Sequence, residues 1–208
     1  MNVTGAVLNS VVRGLCLSEK QPPLVRMAVD READQIKRAA GGDPAAIRAI
    51  VVRNTAPLNA LAYRMLRSQE DAEEVVQETF LRAWKALPKW KPNAQLSTWL
   101  HRVALNLCYD RLRKRREHVM AEPPDMVDET PGPQGQLERQ QSITKVRDAL
   151  AQLPERQQAA LSLCALEGYT NRMAAEILEI SVEALESLLS RGRRQLRSIL
   201  HEQAGDLT

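Results

Sequence analysis

One segment near the middle of the chain carries side chains that together could hold an unpaired nucleic-acid strand. Between residues 97 and 117, aromatic, amide and guanidinium side chains recur at steps of three and four, which places them on one face of a helix. An aromatic ring can stack on an unpaired base, an amide can hydrogen-bond a base edge, and guanidinium groups bind phosphates. The members of this face are Trp99, Arg102, Asn106, Tyr109, Arg113 and Arg116.

The same helix needs a second, buried face if it belongs to a folded domain. An apolar stripe at helical spacing predicts that face and consists of Leu100, Val103, Ala104 and Leu107. The helix ends in a basic run over residues 111–116, and the helix dipole alone stabilises cations near a C-terminus. The pattern is therefore compatible with a surface for single-stranded nucleic acid or with a solvated basic helix end.

Composition favours an all-α protein. Hydrophobic residues make up 44% of the 208 residues but aromatic residues only 3%, which suits helices packed through aliphatic side chains. The length allows one or two small domains. The net charge of +3 excludes a histone-like wrapper, so any nucleic-acid surface must be local.

The sequence does not indicate a metal site, a cofactor or a membrane segment. Cys16, Cys108 and Cys164 lie far apart, which favours a reducing cytoplasm over a disulfide framework. The histidines share no ligand spacing with each other or with the cysteines, so we expect no metal and no cofactor. No apolar run approaches the roughly 18 residues of a membrane span, so we expect no membrane insertion.

The chain begins with a segment of little periodicity, followed by helical patterns. Residues 1–26 are interpreted as a mobile extension, with Met27 as an alternative start. A helical pattern begins at Asp30. Asp43 then has the features of an N-cap followed by proline, and Pro57 is expected to open or kink a further helix.

An amphipathic helix is predicted over residues 71–87. Ser68 begins it as a capping residue, with Asp71 in the place where glutamate is usual. The side predicted to be buried is apolar and consists of Ala72, Val75, Val76, Phe80, Ala83, Trp84 and Leu87. The other side carries Gln77 and Glu78 beyond the first turn, where the helix dipole does not account for them. That side is equally compatible with solvent and with protein docking.

Two segments have the composition of connections. Residues 88–95 form a loop bounded by prolines, in which the ring of Trp90 could stack on a base or pack on the domain. Residues 118–139 combine prolines and glycines with carboxylates, a composition that cannot build a core. They predict a flexible acidic linker between two helical domains.

The last third of the chain predicts a helix-turn-helix. Ala175 provides the small side chain where two helices cross, and Ser181 is a good N-cap for the second helix. Glu179 occupies the turn position usually given to glycine, at about 1 kcal/mol of strain if its backbone is left-handed. The wedge between the helices would consist of Leu178, Ile180, Leu185 and Leu188. A generic three-helix core remains the alternative.

Three stretches in this order resemble the bacterial RNA polymerase sigma-70 family, and more closely its two-domain extracytoplasmic-function branch. They are DAEEVVQETFLRAWKAL at 71–87, LSTWLHRVALNLCYDRLRKRRE at 96–117, and the segment at 153–197 that runs from LPERQQ to RRQLR. The resemblance implies a region 2 domain at 27–117 and a region 4 helix-turn-helix domain at 140–203, joined by the linker and preceded by the extension. It also implies a cytoplasmic initiation factor without catalysis or a small-molecule substrate of its own.

The resemblance implies partners and site residues as well. Core RNA polymerase would dock on the acidic helix face at Asp71, Glu74, Gln77 and Glu78. The −10 element of promoter DNA would be read and melted by Trp90, Trp99, Arg102, Asn106, Tyr109, Arg113 and Arg116. The −35 element would be read in duplex form by Ser181, Glu183, Glu186, Ser187, Ser190, Arg191 and Arg194. An anti-sigma factor would hold the protein inactive by clamping the two domains together.

The second helix of the helix-turn-helix departs from the family pattern. Glu186 stands where a basic residue is usual and Leu188 where arginine is usual, while Glu183 adds a further acid. A carboxylate can accept a hydrogen bond from cytosine N4, so acid here is compatible with base reading. Two other functions therefore remain open: an independent helix-turn-helix regulator, and a sigma-like decoy that binds an anti-sigma factor without promoter activity.

Overall fold

Helices account for the regular structure in the part of the chain that is described. A computed structural model describes residues 24–90, 95–121 and 137–205, and within these ranges it contains helices and no strands. The α-helices are α1 (Leu24–Ala40), α2 (Pro44–Leu66), α3 (Gln69–Ala86), α4 (Leu96–Ala121), α5 (Leu137–Ala151), α6 (Glu155–Leu161), α7 (Asn171–Leu178) and α8 (Val182–Gly205). A 3-10 turn, Leu87–Lys89, follows α3, and a π-helical turn, Ser162–Leu166, follows α6. The all-α prediction is confirmed.

Helices α1 to α4 form the N-terminal domain around an aliphatic core. Its largest fully buried aliphatic side chains are Leu58, Leu61, Val75, Leu100 and Leu105. The predicted core side of α3 is confirmed, except that Trp84 is only half-buried and stacks on Phe80 with ring centroids 6.0 Å apart. The same side also buries Thr79, whose hydroxyl donates to the carbonyl of Val75 over 2.7 Å.

Local capping chemistry sets where two of these helices begin. The Asp43 carboxylate accepts a hydrogen bond from the Ala45 amide at 2.9 Å, and Pro44 occupies the first position of α2. The Ser68 hydroxyl accepts from the Asp71 amide at 3.2 Å at the start of α3. Both predicted N-caps are confirmed, since each satisfies an amide that the helix leaves unpaired.

Pro57 does not open a new helix, because α2 continues through it to Leu66. Proline in a helix interior costs about 3 kcal/mol, since it removes one backbone hydrogen bond and crowds the preceding turn. Asn54, Leu58 and Leu61 are buried on either side of the proline. Their packing in the domain core offsets the local cost and keeps the helix continuous.

The buried side of α4 is rotated from the predicted stripe. Leu100 and Ala104 are fully buried, whereas Val103 and Leu107 are only partly buried. The side is completed by His101, Leu105 and Cys108. The prediction missed the rotation because histidine and cysteine were not counted as core residues, although cysteine is among the most often buried residue types.

Three helix ends differ from the expected boundaries. Helix α1 begins at Leu24, before the predicted Asp30, because it follows the Pro22-Pro23 pair directly and proline favours the first positions of a helix. Helix α4 continues to Ala121, since the next proline comes only at 123, and α5 already begins at Leu137. The rest of the predicted extension and linker, residues 1–23 and 122–136, lies outside the described residues, as do loop residues 91–94.

Helices α5 to α8 form the C-terminal domain, and α7 and α8 confirm the predicted helix-turn-helix. Ala175 and Leu185 are buried where the two helices cross. The hydroxyl of Ser181 accepts from the Ala184 amide at 3.2 Å and begins α8. Glu179 is left-handed, with φ at 54°, in the turn between them. It therefore carries the backbone strain that glycine would avoid.

Candidate nucleic-acid and polymerase interfaces

Three residues of the predicted melting face lie on the exposed side of α4. Asn106 and Arg113 are exposed, and the guanidinium of Arg113 pairs with Asp110 at 3.0 Å. Trp99 is half-buried against Trp90, edge to face, with ring centroids 5.6 Å apart. Trp90 thus packs on the domain, one of the two alternatives that the sequence left open, and its buried indole Nε1 has no hydrogen-bond partner among the described residues. The tryptophan pair gives this side of α4 a rigid apolar platform.

The other three residues of that face point toward the C-terminal domain. Arg102 donates to the carbonyl of Glu176 at 3.0 Å and lies 3.2 Å from the carboxylate of Glu179. Arg116 lies 3.2 Å from the carboxylate of Glu155. Tyr109 is partly buried between them along the helix, and burial raises the pKa of its hydroxyl to about 12. One face of α4 is therefore divided between solvent and a neighbouring domain.

The basic run at the end of α4 is divided as well. Arg111 reaches the carboxylates of Asp71 at 2.8 Å and Glu74 at 2.9 Å on α3. Arg115 also pairs with Asp71 and donates to the carbonyl of Leu66 at 2.8 Å. On a helical period, these two arginines lie roughly opposite the melting face. They tie α4 to α3 and are not placed to bind a strand that lies on Trp99 and Asn106.

These ion pairs also divide the predicted docking face of α3. Burial alone would raise the pKa of Asp71, but the hydrogen bond with Ser68 and the guanidinium groups of Arg115 and Arg111 lower it overall. Gln77 and Glu78 lie one to two turns further along the same face, and Glu78 pairs within α3, with Arg82 at 2.8 Å. The side chain beside them, Leu81, is 54% exposed. Beyond the residues paired with α4, Asp71 and the exposed Glu74, this face consists of Gln77, Glu78 and Leu81.

The seven residues predicted to read the −35 element all lie exposed along α8 and its cap. They are Ser181, Glu183, Glu186, Ser187, Ser190, Arg191 and Arg194. The pKa of Glu183 is lowered by a hydrogen bond from its own backbone amide and by one from the Ser181 hydroxyl. Arg191 donates to the Ser187 hydroxyl at 2.8 Å, and Asn171 lies 3.5 Å from Glu186. The two acids occupy the early turns of the helix and the arginines the later ones.

Two family models match the chain in the order of its domains. Sigma-70 region 2 matches residues 50–118, and Sigma-70, region 4 matches residues 143–196. The ECF RNA polymerase sigma factor SigE of Mycolicibacterium smegmatis is 31% identical over 174 residues, which cover 80% of this chain and 67% of that protein. The chain belongs to the extracytoplasmic-function branch of the sigma-70 family. Proteins of this family are transcription initiation factors and not enzymes in themselves.

Solved structures of sigma factors share this fold. CnrH in complex with the cytosolic domain of CnrY matches with a TM-score of 0.64 and 27% identity, covering 82% of this chain and 97% of that one. The sigma factor RpoE in complex with the anti-sigma factor NepR from Bartonella quintana matches with a TM-score of 0.62 and 25% identity, covering 74% and 96%. Both matches include most of this sigma-70 family chain.

Sequence reasoning missed the residues through which the two domains of this sigma-70 protein meet. Arg64 on α2 pairs with Glu167, and the hydroxyl of Tyr169 lies 3.0 Å from Nδ1 of His101 on α4. Glu167 and Tyr169 flank Gly168, which has φ at 73°. Gly168 lies between two apolar runs, and this was the sequence signal for a turn at this position. None of the helices in the described ranges has the length and apolar content to cross a bilayer.

Proposed function

We propose that this chain binds core RNA polymerase, directs it to promoters with −10 and −35 elements, and helps to open the DNA. The observation that carries the proposal is the division of cations on α4. Arg111 and Arg115 are taken up by ion pairs with α3, whereas Asn106 and Arg113 remain exposed beside the tryptophan pair. Stacking, base-edge and phosphate groups thus remain together on one side, as a reader of an unpaired strand requires.

Strand capture would make opening favourable without catalysis. Unstacking and unpairing a base costs a few kcal/mol, and stacking on an aromatic side chain returns about 1–3 kcal/mol per base. Trp99 supplies the ring, Trp90 holds it edge to face, and Asn106 lies two turns further along the same side. Polymerase contacts would supply most of the remaining free energy, and this face would select the opened state.

Polymerase docking is assigned to α3. Of the four residues expected from sequence, Gln77 is exposed, Glu78 is partly exposed, and both are near the exposed Leu81 at helical spacing. An apolar centre with polar and charged neighbours is the usual make-up of a protein interface. Asp71 is held by Arg111 and is 28% exposed, so its role in docking would be indirect, whereas Glu74 also binds Arg111 but keeps 56% of its side chain exposed on the same face.

Duplex recognition at the −35 element is assigned to α8. Arg191 and Arg194 would contact phosphates, which position a helix on DNA without reading its sequence. Glu183 and Glu186 would accept hydrogen bonds from cytosine N4 in the major groove. The acidic early turns would therefore favour cytosine-containing elements and disfavour non-specific binding, since they add no attraction to phosphates.

An anti-sigma factor is proposed as a further partner. The support is the fold shared with RpoE, which was solved in complex with the anti-sigma factor NepR. Such a factor would need to cover the exposed surfaces of α3 and α4, because core polymerase would bind the first and promoter DNA the second.

Run-off transcription tests the proposal. Purified core RNA polymerase would transcribe sheared DNA from the protein's own genome, with and without the protein, and start sites would be mapped by sequencing. We expect discrete new starts that share two elements upstream. A folded protein that binds core polymerase or an anti-sigma factor but produces no new starts would instead establish the decoy function.

A further inference from the structure

A series of three side chains joins the π-helical turn to the early part of α8. The thiol of Cys164 donates to Oδ1 of Asn171 over 3.9 Å, and Nδ2 of Asn171 donates to the carboxylate of Glu186 over 3.5 Å. Cys164 belongs to the π-helical turn, Asn171 is the first residue of α7, and Glu186 lies in the second turn of α8. The helix proposed to enter the DNA groove therefore has one acid that is held by a residue of the helix before it.

The orientation of the Asn171 carboxamide follows from its two partners. A carboxylate only accepts hydrogen bonds, so the amide nitrogen must face Glu186 and the amide oxygen must face Cys164. Cys164 can donate there because burial raises the pKa of its thiol to about 11, which keeps the thiol protonated at neutral pH. Both polar ends of the carboxamide thus meet the group that they require, and Asn171 presents a fixed donor to Glu186.

Contact between Cys164 and Asn171 depends on a reversal of the chain. In a continuous α-helix, residues seven positions apart lie about 10 Å apart along the axis. Here the π-helical turn ends at Leu166, and Gly168 follows with φ at 73°, which turns the chain before α7 begins. Short π-helical segments are rare and occur often at functional sites. In this chain the segment and the glycine bring Asn171 back beside Cys164.

The side chain of Asn171 is not needed to begin α7. Thr170 is the N-cap, and its hydroxyl accepts a hydrogen bond from the Met173 amide at 3.3 Å. Asn171 is exposed, so it does not contribute to the core of the domain either. What remains for this side chain is its contact with Cys164 and Glu186.

The two acids of α8 are oriented by different parts of the chain. Glu183 accepts hydrogen bonds from its own backbone amide and from the Ser181 hydroxyl, so its orientation is set by the cap of α8 itself. Glu186 is held from α7 by Asn171. A free, exposed glutamate samples several rotamers and loses that freedom when it binds. Glu186 has given up part of this freedom before DNA arrives, and its second oxygen is still able to accept a hydrogen bond.

We propose that Asn171 is a positioning residue for sequence reading at the −35 element. It binds one oxygen of Glu186 and thereby directs the other toward the N4 amino group of a single cytosine in the major groove. Arg191 and Arg194 would hold phosphates without reading bases, so loss of Asn171 alters base preference more than overall affinity. The inference rests on the function proposed for α8, and it names a residue outside that helix on which the specificity of the helix depends.

Transcription from a promoter library tests this inference. Core RNA polymerase with the full-length protein would transcribe barcoded templates randomised across the −35 element, and sequencing would give the preference for cytosine at each position. Glu186→Ala should remove the preference at one position. Asn171→Ala should lower it at that same position by about threefold or more, as expected for the loss of one hydrogen bond between side chains. In the Glu186→Ala background, Asn171→Ala should change nothing further, because Asn171 acts through Glu186.

Asn171→Asp separates positioning from folding. An aspartate in the first turn of α7 is favoured by the helix dipole, so the melting temperature should stay the same or rise. Its carboxylate would nonetheless repel Glu186, so the cytosine preference should fall at least as far as in Asn171→Ala. Adding Glu186→Gln should recover the preference, because the glutamine nitrogen donates to the aspartate and the glutamine oxygen accepts from cytosine. A loss of structure in α7 would not be recovered by this second change.

Thr170→Ala is the matched control on the same helix. It removes the cap of α7, so it should lower the melting temperature by several degrees. The Thr170 hydroxyl bonds the amide of Met173 and takes no part in the contact between Asn171 and Glu186. Base preference should therefore be unchanged in this variant, even where total transcription falls.

Three results would overturn the inference and leave the initiation function standing. A cytosine preference that survives Asn171→Ala but not Glu186→Ala would show that Glu186 reads DNA without its partner. Equal loss of preference in Thr170→Ala and Asn171→Ala would show that only the stability of α7 matters. An active polymerase complex whose preference changes in neither Asn171→Ala nor Glu186→Ala would show that other residues of α8 read the element. Absence of any discrete start with the unaltered protein would instead refute the proposed function, and this inference with it.

Discussion

Replacing Asp71 by asparagine should destabilise the N-terminal domain by about 1–2 kcal/mol at neutral pH. Asp71 binds Arg111 at 2.8 Å and also Arg115, and its side chain is 28% exposed. Hydrogen bonds to charged groups contribute about 1.5–3 kcal/mol each when buried, and the exposure here reduces that contribution. Asparagine keeps the shape of the side chain and the hydrogen bond that the backbone amide of residue 71 donates to the Ser68 hydroxyl, but it removes the charge.

Urea unfolding monitored by tryptophan fluorescence measures this loss of stability in the N-terminal domain. The chain has three tryptophans, and all belong to the N-terminal domain: Trp84 in α3, Trp90 after the 3-10 turn and Trp99 in α4. Glu78→Gln is the matched control on the same helix, because its pair with Arg82 is exposed and should contribute at most about 0.5 kcal/mol.

The pH dependence of the same experiment gives a second check on the cause. The pKa of Asp71 is lowered in the folded protein, so its stabilisation is complete above the pKa of the unfolded chain and is lost as pH falls through the folded value. The difference between Asp71→Asn and the unaltered protein should therefore shrink as the pH falls below the ordinary pKa of an aspartate. A variant as stable as the Glu78→Gln control, or a difference independent of pH, would refute the placement of Asp71 as an internal ion-pair partner.

Three further predictions concern the proposed interfaces. Glu78→Lys should weaken binding to core polymerase by about tenfold with no change in the urea midpoint, and unchanged affinity would remove α3 as the docking surface. Asn106→Ala should leave polymerase binding intact but reduce promoter opening by about tenfold, as expected for the loss of one base-edge contact; full activity on a linear template would exclude Asn106. Glu186→Lys should change the preferred −35 sequence across a promoter library while increasing non-specific DNA binding, and an unaltered preference would show that Glu186 is only solvated.

Helix positions and capping in this chain could be predicted from local chemistry. Each predicted N-cap is found at its helix, because a side-chain oxygen at this position accepts a hydrogen bond from a backbone amide of the first turn. The three residues are Asp43, Ser68 and Ser181. Glu179 is left-handed because the turn geometry requires it even without glycine. These features depend on contacts within a few residues, which sequence spacing reports directly.

The division of the α4 face could not be predicted in the same way. The helical period placed Arg102 and Arg113 together, but only the packing of the C-terminal domain separates the paired Arg102 from the exposed Arg113. Equally, the sequence placed Arg111 and Arg115 only in a basic run at the end of the helix, because their pairing with Asp71 depends on how α3 and α4 cross. Contacts between residues about 40 or more positions apart leave no periodic signal in a single sequence.

The measurement that tests the central claim most directly is permanganate reactivity at promoters mapped by run-off transcription. Permanganate oxidises thymines only where they are unpaired and unstacked. With both the protein and core polymerase present, thymines of the non-template strand in the −10 element should become reactive, and Trp99→Ala should abolish that reactivity without loss of polymerase binding. A protein that binds core polymerase but leaves every −10 thymine unreactive would contradict the claim that this chain opens promoters.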